Sequence, residues 1–347
     1  MSKLPDGAQC GPRPCGATAF SGLIGKICLA VRALGKICRA VFFSGLASRV
    51  NCAKDIQSFK EDAMSALTSL HIRDAKGRRK LAMLTAYDSG SAALVDSAGV
   101  DMILVGDSLG MVIMGRPDTL SVRLEDVLHH CRAVCSAPRR ALVVADLPFM
   151  SYETDARKAL ESAGRLFQEG GARAVKLEGG REILPQVRAL VEAGMPVMAH
   201  LGLTPQRLAA LGGFKIQGKS ARSAERLVQD ALALAEAGCF AVLLECVPRE
   251  LAAHVTREVP VPTIGIGAGA ECDGQVLVFH DAMGMLPGEP LRFVKRFAHL
   301  HPVMLEAARA YVAEVREGSF PASGHSVTMP EEEHEEFIKL YGGDDPE

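Results

Sequence analysis

Eight short apolar runs recur between residues 80 and 281, and several end by handing a polar side chain to a turn. The clearest is DMILVGDSLG, residues 101–110, where a buried-type stretch runs into Asp107, Ser108 and Gly110. The same design returns in LVVADLP (Asp146), AVKLEGG (Lys176 and Glu178), VMAHLG (His200) and AVLLECVP (Glu245). Near-continuous apolar runs, each with a helix-like stretch behind it, read as parallel strands buried on both faces. Eight such units fit a (β/α)8 TIM barrel better than an open sheet. In a barrel the C-terminal strand ends share one mouth, so these polar groups are expected to meet whatever their separation in sequence.

The periodicity predicts strands at 80–87, 102–107, 141–148, 173–180, 196–202, 240–246, 262–269 and 275–281. It predicts helices at 55–70, 89–98, 124–135, 154–169, 181–193, 221–237, 248–259 and 291–317, the last packed outside the barrel. Residues 110–117 read as a loop, with Gly110 letting it bend. Three regions follow: a basic N-terminal extension (1–70), the catalytic barrel (71–325) and an acidic tail (326–347). A chain that is 48% hydrophobic but only 5% aromatic builds its core from aliphatic side chains, and its 34 glycines suit many tight turns.

Residues 1–54 carry eight Lys or Arg against one acid, and GKIC occurs there twice. The segment reads as a targeting presequence, an amphipathic surface anchor or a poorly ordered extension. The formal net charge of −2 gives no global case for nucleic acid as partner. The ten cysteines show no metal-ligand or disulfide pattern, which points to a reducing compartment. A cytoplasmic location is expected, or the mitochondrial matrix if 1–54 is a presequence. No uncharged run is long enough to span a membrane.

The strand-end groups have chemistry in common. Asp107 and Asp146 end neighbouring strands, and two converging carboxylates repel unless a cation lies between them. Hard oxygen ligands without supporting Cys or His suggest Mg²⁺; helix capping by one acid and an ion pair for the other is the competing reading. Lys176 and Glu178 stand two apart on one strand and so point the same way. Lys176 suits a substrate carboxylate, with a Schiff-base role as the rival, and Glu178 suits the metal. Partial desolvation after VLL suits Glu245 to general-base work. His200 is either a substrate contact or a satisfied core histidine; His129 and His130 are expected on the outside. The alternating glycines of GIGAG (265–269) suit a phosphate cradle or close approach to a flat ring. A 2-oxo acid, a metal and a carboxylate base together mean enolisation and attack on a one-carbon or aldehyde electrophile.

LTAYD (84–88), LVGDSLGM (104–111), ADLPFMSY (145–152), VKLEGG (175–180), HLGLTPQ (200–206), LLECVP (243–248) and IGIGAG (264–269) together resemble the ketopantoate hydroxymethyltransferase family. The resemblance spans about residues 72–325. It implies a barrel of the phosphoenolpyruvate/pyruvate type, assembled as a homo-oligomer, usually a homodecamer. It implies transfer of a hydroxymethyl group from 5,10-methylenetetrahydrofolate to 3-methyl-2-oxobutanoate, giving 2-dehydropantoate for pantothenate and coenzyme A. On that resemblance Asp107, Asp146 and Glu178 match the Mg²⁺ acids, and Asp107, Ser108, Asp146 and Lys176 the oxo-acid contacts. Glu245 matches the proton acceptor, and His200 a further active-site position. Arg123 stands where a Thr is expected, and HHC (129–131) where YHT is usual. Two alternatives stay open: a folate-independent, metal-dependent 2-oxo acid lyase or aldolase, and a catalytically dead binding barrel.

Overall fold

The computed structural model describes residues 66–138 and 140–342. The basic segment 1–54 and all but the last residues of the helix expected at 55–70 lie outside them. Within them, eight parallel strands close into a barrel in sequence order. The strands are β1 Leu81–Thr85, β2 Met102–Val105, β3 Leu142–Asp146 and β4 Ala174–Glu178, then β5 Val197–Gly202, β6 Ala241–Glu245, β7 Thr263–Ile266 and β8 Gly274–Leu277. β8 pairs with β1 to complete the ring. The helices are α1 Ser69–Asp74, α2 Ser89–Ser97, α3 Leu109–Val112, α4 Leu124–Cys135, α5 Ala156–Gln168, α6 Leu184–Glu192, α7 Leu208–Leu211, α8 Ala221–Glu236, α9 Arg249–Glu258, α10 Phe279–Ala282, α11 Leu300–Glu317 and α12 Glu331–Tyr341.

Side chains alternate across each strand, so one set fills the barrel and the other meets the helices. The inner set, including Met83, Leu104, Leu142, Val144, Met198, Leu243 and Val276, forms one buried cluster, joined by Ile72 of α1. The outer set, including Ile103, Val143, Val175, Ala199 and Val242, packs with helix residues such as Val127, Leu166 and Val187. The inner columns change character toward the C-terminal end. Leu142 and Val144 are followed by Asp146, Ala174 by Lys176 and Glu178, Met198 by His200, and Leu243 by Glu245. The strand period of two thus aims the charged residues at the top of the barrel.

Helix starts follow local capping chemistry. Asp88 accepts from Ser91 N at 2.8 Å and Asp155 from Lys158 N at 2.8 Å, each satisfying a free amide of the first turn. Arg123 begins α4, but a guanidinium has no acceptor and cannot cap as Thr does. Asp126 instead reaches back to the Arg123 amide at 2.9 Å.

Four expectations need correction. The loop expected from residue 110 opens as the helical turn α3, and Gly110 is needed for space, since a side chain there would collide with Val122. The last strand ends at Leu277, because Phe279–Ala282 turns into α10. The helix expected at 291–317 begins only at Leu300 and buries none of its residues, leaving Val303, Tyr311 and Val315 exposed. In the expected acidic tail, 331–341 is helical. Among the described residues no helix is long and apolar enough to cross a membrane.

Candidate active site

β3, β4, β5 and β6 deliver their inward-facing ends to one place. Lys176 Nζ lies 2.8 Å from Asp146 Oδ1 and 3.8 Å from Glu178 Oε1. His200 Nδ1 lies 3.2 Å from Glu178 Oε1, and its Nε2 lies 3.3 Å from Glu245 Oε2. Asp107, in the turn after β2, is tied in through its amide, which donates to Asp146 Oδ2 at 2.9 Å. Gly106 makes this approach possible, since a side chain there would press on Ser108 Oγ and Asp146 Oδ2. Ser108 Oγ is 2.8 Å from the Tyr87 hydroxyl. Asp107, Asp146, Lys176, Glu178, His200 and Glu245 therefore form one connected group, with Ser108 next to Asp107 in the same turn. Asp107, Asp146, Lys176, Glu178 and His200 are buried; Ser108 and Glu245 are partly open.

Backbone geometry supports the placement of Glu245. Gly202 adopts φ +97° at the end of β5, where a side chain would strike the Glu245 carbonyl. Cys246, directly after Glu245, holds φ +49°, a left-handed conformation that costs a non-glycine residue energy. Two backbone bonds hold it there: its N–H donates to Ile266 O at 2.9 Å and its carbonyl accepts from Gln217 N at 3.0 Å.

The electrostatics are those of a site with too much negative charge for its bases. Burial, with Asp146 and Glu178 beside it, pushes the Asp107 carboxyl up to about 8. Burial also holds Asp146 above its ordinary range, and the Lys176 ammonium offsets this only in part. For Glu178 burial acts upward, but His200 and Lys176 outweigh it and draw the carboxyl down. For Lys176 burial acts downward, and Asp146, Glu178 and Asp107 outweigh it, so the amine stays charged. A charged ammonium is the opposite of what imine formation needs, which disfavours the Schiff-base reading. In His200, burial and Lys176 act downward, but Glu178 and Glu245 raise the imidazole to about 9.

Among the described residues no three acid, His or Cys side chains are closed up as a ready metal cage. The acids are arranged around Lys176 instead. Asp107, Asp146 and Glu178 bring hard carboxylate oxygens together in a buried place with fewer bases than acids, so the donor set fits a hard divalent ion.

Three participants escape the strand-end pattern. Tyr87 is buried at the mouth against Ser108, with its carbonyl 2.6 Å from His130 Nδ1, so His130 faces inward while His129 is exposed. Tyr152 and Gln206 are buried among the carboxylates. Neither is charged at neutral pH, so a search for convergent charges passes over them, although both stand inside the quoted motifs ADLPFMSY and HLGLTPQ. The GIGAG loop does not form an open cradle. Side chains at Gly267 and Gly269 would meet Phe293 and Arg249, and the flat ring approaching Gly267 is the chain's own Phe293.

Comparison with known proteins identifies the family. The family model described as ketopantoate hydroxymethyltransferase matches residues 66–323. The 3-methyl-2-oxobutanoate hydroxymethyltransferase of Nitratidesulfovibrio vulgaris (strain DP4) is 61% identical over 272 residues, covering 78% of this chain and 89% of its own. The protein of the same name from Oleidesulfovibrio alaskensis is 57% identical over 280 residues, covering 81% of this chain and 97% of its own. Among solved structures, phosphonopyruvate hydrolase aligns with a TM-score of 0.50 at 16% identity, over 80% of this chain and 95% of that one, which speaks for the fold alone. By the family model and by relatives that share most of its length, this chain belongs to the ketopantoate hydroxymethyltransferase family of enzymes.

Proposed function

We propose that this enzyme transfers a hydroxymethyl group from 5,10-methylenetetrahydrofolate to 3-methyl-2-oxobutanoate, giving 2-dehydropantoate on the route to pantothenate and coenzyme A. The relatives that share most of its length carry the name of that reaction. The observation that carries the reading is the contact of Glu245 with His200, which links a partly open carboxylate to the buried acid–amine group.

In this reading Asp107 and Asp146 would hold Mg²⁺, with Glu178 as the third acid, and the donor set is suited to a hard cation. When bound, Mg²⁺ supplies electrophilic polarisation of the 2-oxo acid, which acidifies its C3–H. Lys176 and Ser108, with Asp107 and Asp146, position the oxo acid. Glu245 accepts the C3 proton, and C3 bonds to the one-carbon unit as that unit's two C–N bonds to the folate break. Water supplies the hydroxyl oxygen, and tetrahydrofolate leaves with one proton from C3 and one from water. His200, charged and within 3.3 Å of Glu245, orients that carboxylate and offers it a proton donor. The closed ring of strands below the site keeps water from approaching from beneath. We further assign the enzyme to the cytoplasm as a homo-oligomer, a homodecamer by family resemblance. The apolar side chains that α11 leaves exposed are in keeping with assembly.

Glu245→Gln tests the assignment. Deuterium exchange at C3 of 3-methyl-2-oxobutanoate is expected to fall by about 10²–10⁴-fold, the usual contribution of a positioned base, with binding of the oxo acid little changed. Exchange at the parental rate excludes Glu245 as the base. Turnover of the oxo acid without any folate would favour the lyase or aldolase reading instead.

A further inference from the structure

Gln206 is a neutral side chain buried among the acids, and both polar atoms of its amide group have partners. It stands in the 3₁₀ turn Pro205–Arg207 that follows β5. Its Nε2 donates to Asp107 Oδ2 at 2.9 Å and to the Leu147 carbonyl at 3.0 Å. Its Oε1 lies 2.7 Å from the Tyr152 hydroxyl, and its backbone N–H donates to Glu178 Oε2 at 3.0 Å. One residue therefore touches the turns after β2 and β3 and the end of β4, and engages one oxygen on each of two carboxylates.

The amide can face only one way. Rotated by half a turn, its oxygen would be pressed against Asp107 Oδ2 and the Leu147 carbonyl, both acceptors. The Tyr152 hydroxyl is a donor suited to the amide oxygen in that direction. It accepts from Glu178 N at 3.1 Å, so its own proton points toward Gln206 Oε1 or the Glu178 carbonyl. Tyr152 is held in turn by burial, with 1% of its surface exposed. Hydroxyl, amide and carboxylate form a relay of directed bonds. Because Gln206 is neutral, it orients Asp107 without neutralising it, which leaves the charge of the carboxylate to a cation. A Lys or Arg in the same place would compete with that cation.

We propose that Gln206, locked by Tyr152, is a positioning residue that sets the orientation of Asp107 and Glu178 for a divalent cation. The proposal rests on the reading of Asp107 as a metal ligand. Removing such an outer partner of a ligand costs about 10–100-fold in metal affinity.

The test is calorimetric titration of Mg²⁺, and of Mn²⁺ as a second probe, into the full-length, chelator-treated protein without substrates. Gln206→Met keeps the volume and loses the amide; its metal dissociation constant is expected to rise about 10–100-fold. Tyr152→Phe keeps Gln206 but releases its orientation, and a rise of several-fold is expected. It also serves if Gln206→Met does not fold. Turnover of both variants should recover to within a few-fold of the parent at saturating Mg²⁺, a split that a merely structural role does not produce. Asp107→Asn is the control and should abolish binding. Parental affinity in Gln206→Met and Tyr152→Phe, with binding lost in Asp107→Asn, overturns the role of Gln206 and leaves the metal assignment standing. Parental affinity in Asp107→Asn overturns both.

Discussion

The two ends of the barrel both bury acids, and they solve the problem in opposite ways. At the N-terminal end Asp101 accepts from Ala82 N at 2.9 Å and lies 2.8 Å from Arg79 and 3.7 Å from Arg140. Asp273 accepts from Thr263 N at 2.9 Å and pairs with Lys76 at 2.8 Å. Two acids meet three bases there, and each base keeps part of its side chain in water. At the C-terminal end four acids, Asp107, Asp146, Glu178 and Glu245, meet Lys176 and His200, and both of these bases are buried. The bottom is an arrangement that satisfies itself. The top has a net deficit of positive charge in a place where water cannot supply the difference. In a barrel enzyme that asymmetry separates the end that holds the fold from the end that does chemistry.

The largest test of this contrast is removal of divalent ions. If the top is completed by a cation, exhaustive chelation should cut hydroxymethyl transfer by about 10³-fold or more, since metal polarisation supplies several kcal/mol of transition-state stabilisation. Steady-state rates before and after Mg²⁺ is restored measure it. Undiminished turnover would mean that the top, like the bottom, balances its own charge. Next in size is Asp101→Ala at the bottom. It removes the carboxylate that accepts from the part-buried Ala82 amide while Arg79 and Arg140 can hydrate, so a loss of about 1.5–3 kcal/mol, the usual worth of a hydrogen bond to a charged group, is expected in urea unfolding. kcat/KM per folded molecule should not move. A catalytic defect at unchanged stability would erase the division between the two ends.

Most of the top could be read in the sequence because it is built on strands. The alternation Leu142, Val144, Asp146 states that the acid shares a face with the core, and barrel closure does the rest. Lys176, Glu178, His200 and Glu245 follow the same rule, and each stands where the pattern places it. Gln206 and Tyr152 lie beyond strand ends, where no period fixes direction, and their hydrogen bonds depend on how separate turns meet. Phe293 against Gly267 was hidden for a related reason: alternating glycines report close approach but not what approaches. α11 shows the converse limit. Its sequence specifies a helix, but nothing in helical periodicity says whether the apolar side has a partner within the same chain.

The smallest effect has a sign that the contrast alone determines. Asp107→Asn keeps the shape of the side chain, and its Oδ1 can still accept from Gln206 Nε2, which lies 2.9 Å from Asp107 Oδ2. Burial beside Asp146 and Glu178 pushes the parent carboxyl up to about 8, so at neutral pH folding must protonate it at a cost, whereas Asn is neutral already. In the metal-free protein at neutral pH the substitution should therefore raise stability, by about 0.5–2 kcal/mol, the usual gain when a strained functional site is relieved. Chelator-treated parent and variant compared by thermal unfolding should show a rise of about 2–4 °C for each kcal/mol gained. With Mg²⁺ present the order should reverse, because only the parent gains the binding energy of the ion. At the bottom, loss of a buried acid can only destabilise. If the metal-free Asp107→Asn protein melts below the parent, Asp107 is an acid of the same kind as Asp101, and the excess charge at the mouth is balanced by the chain itself.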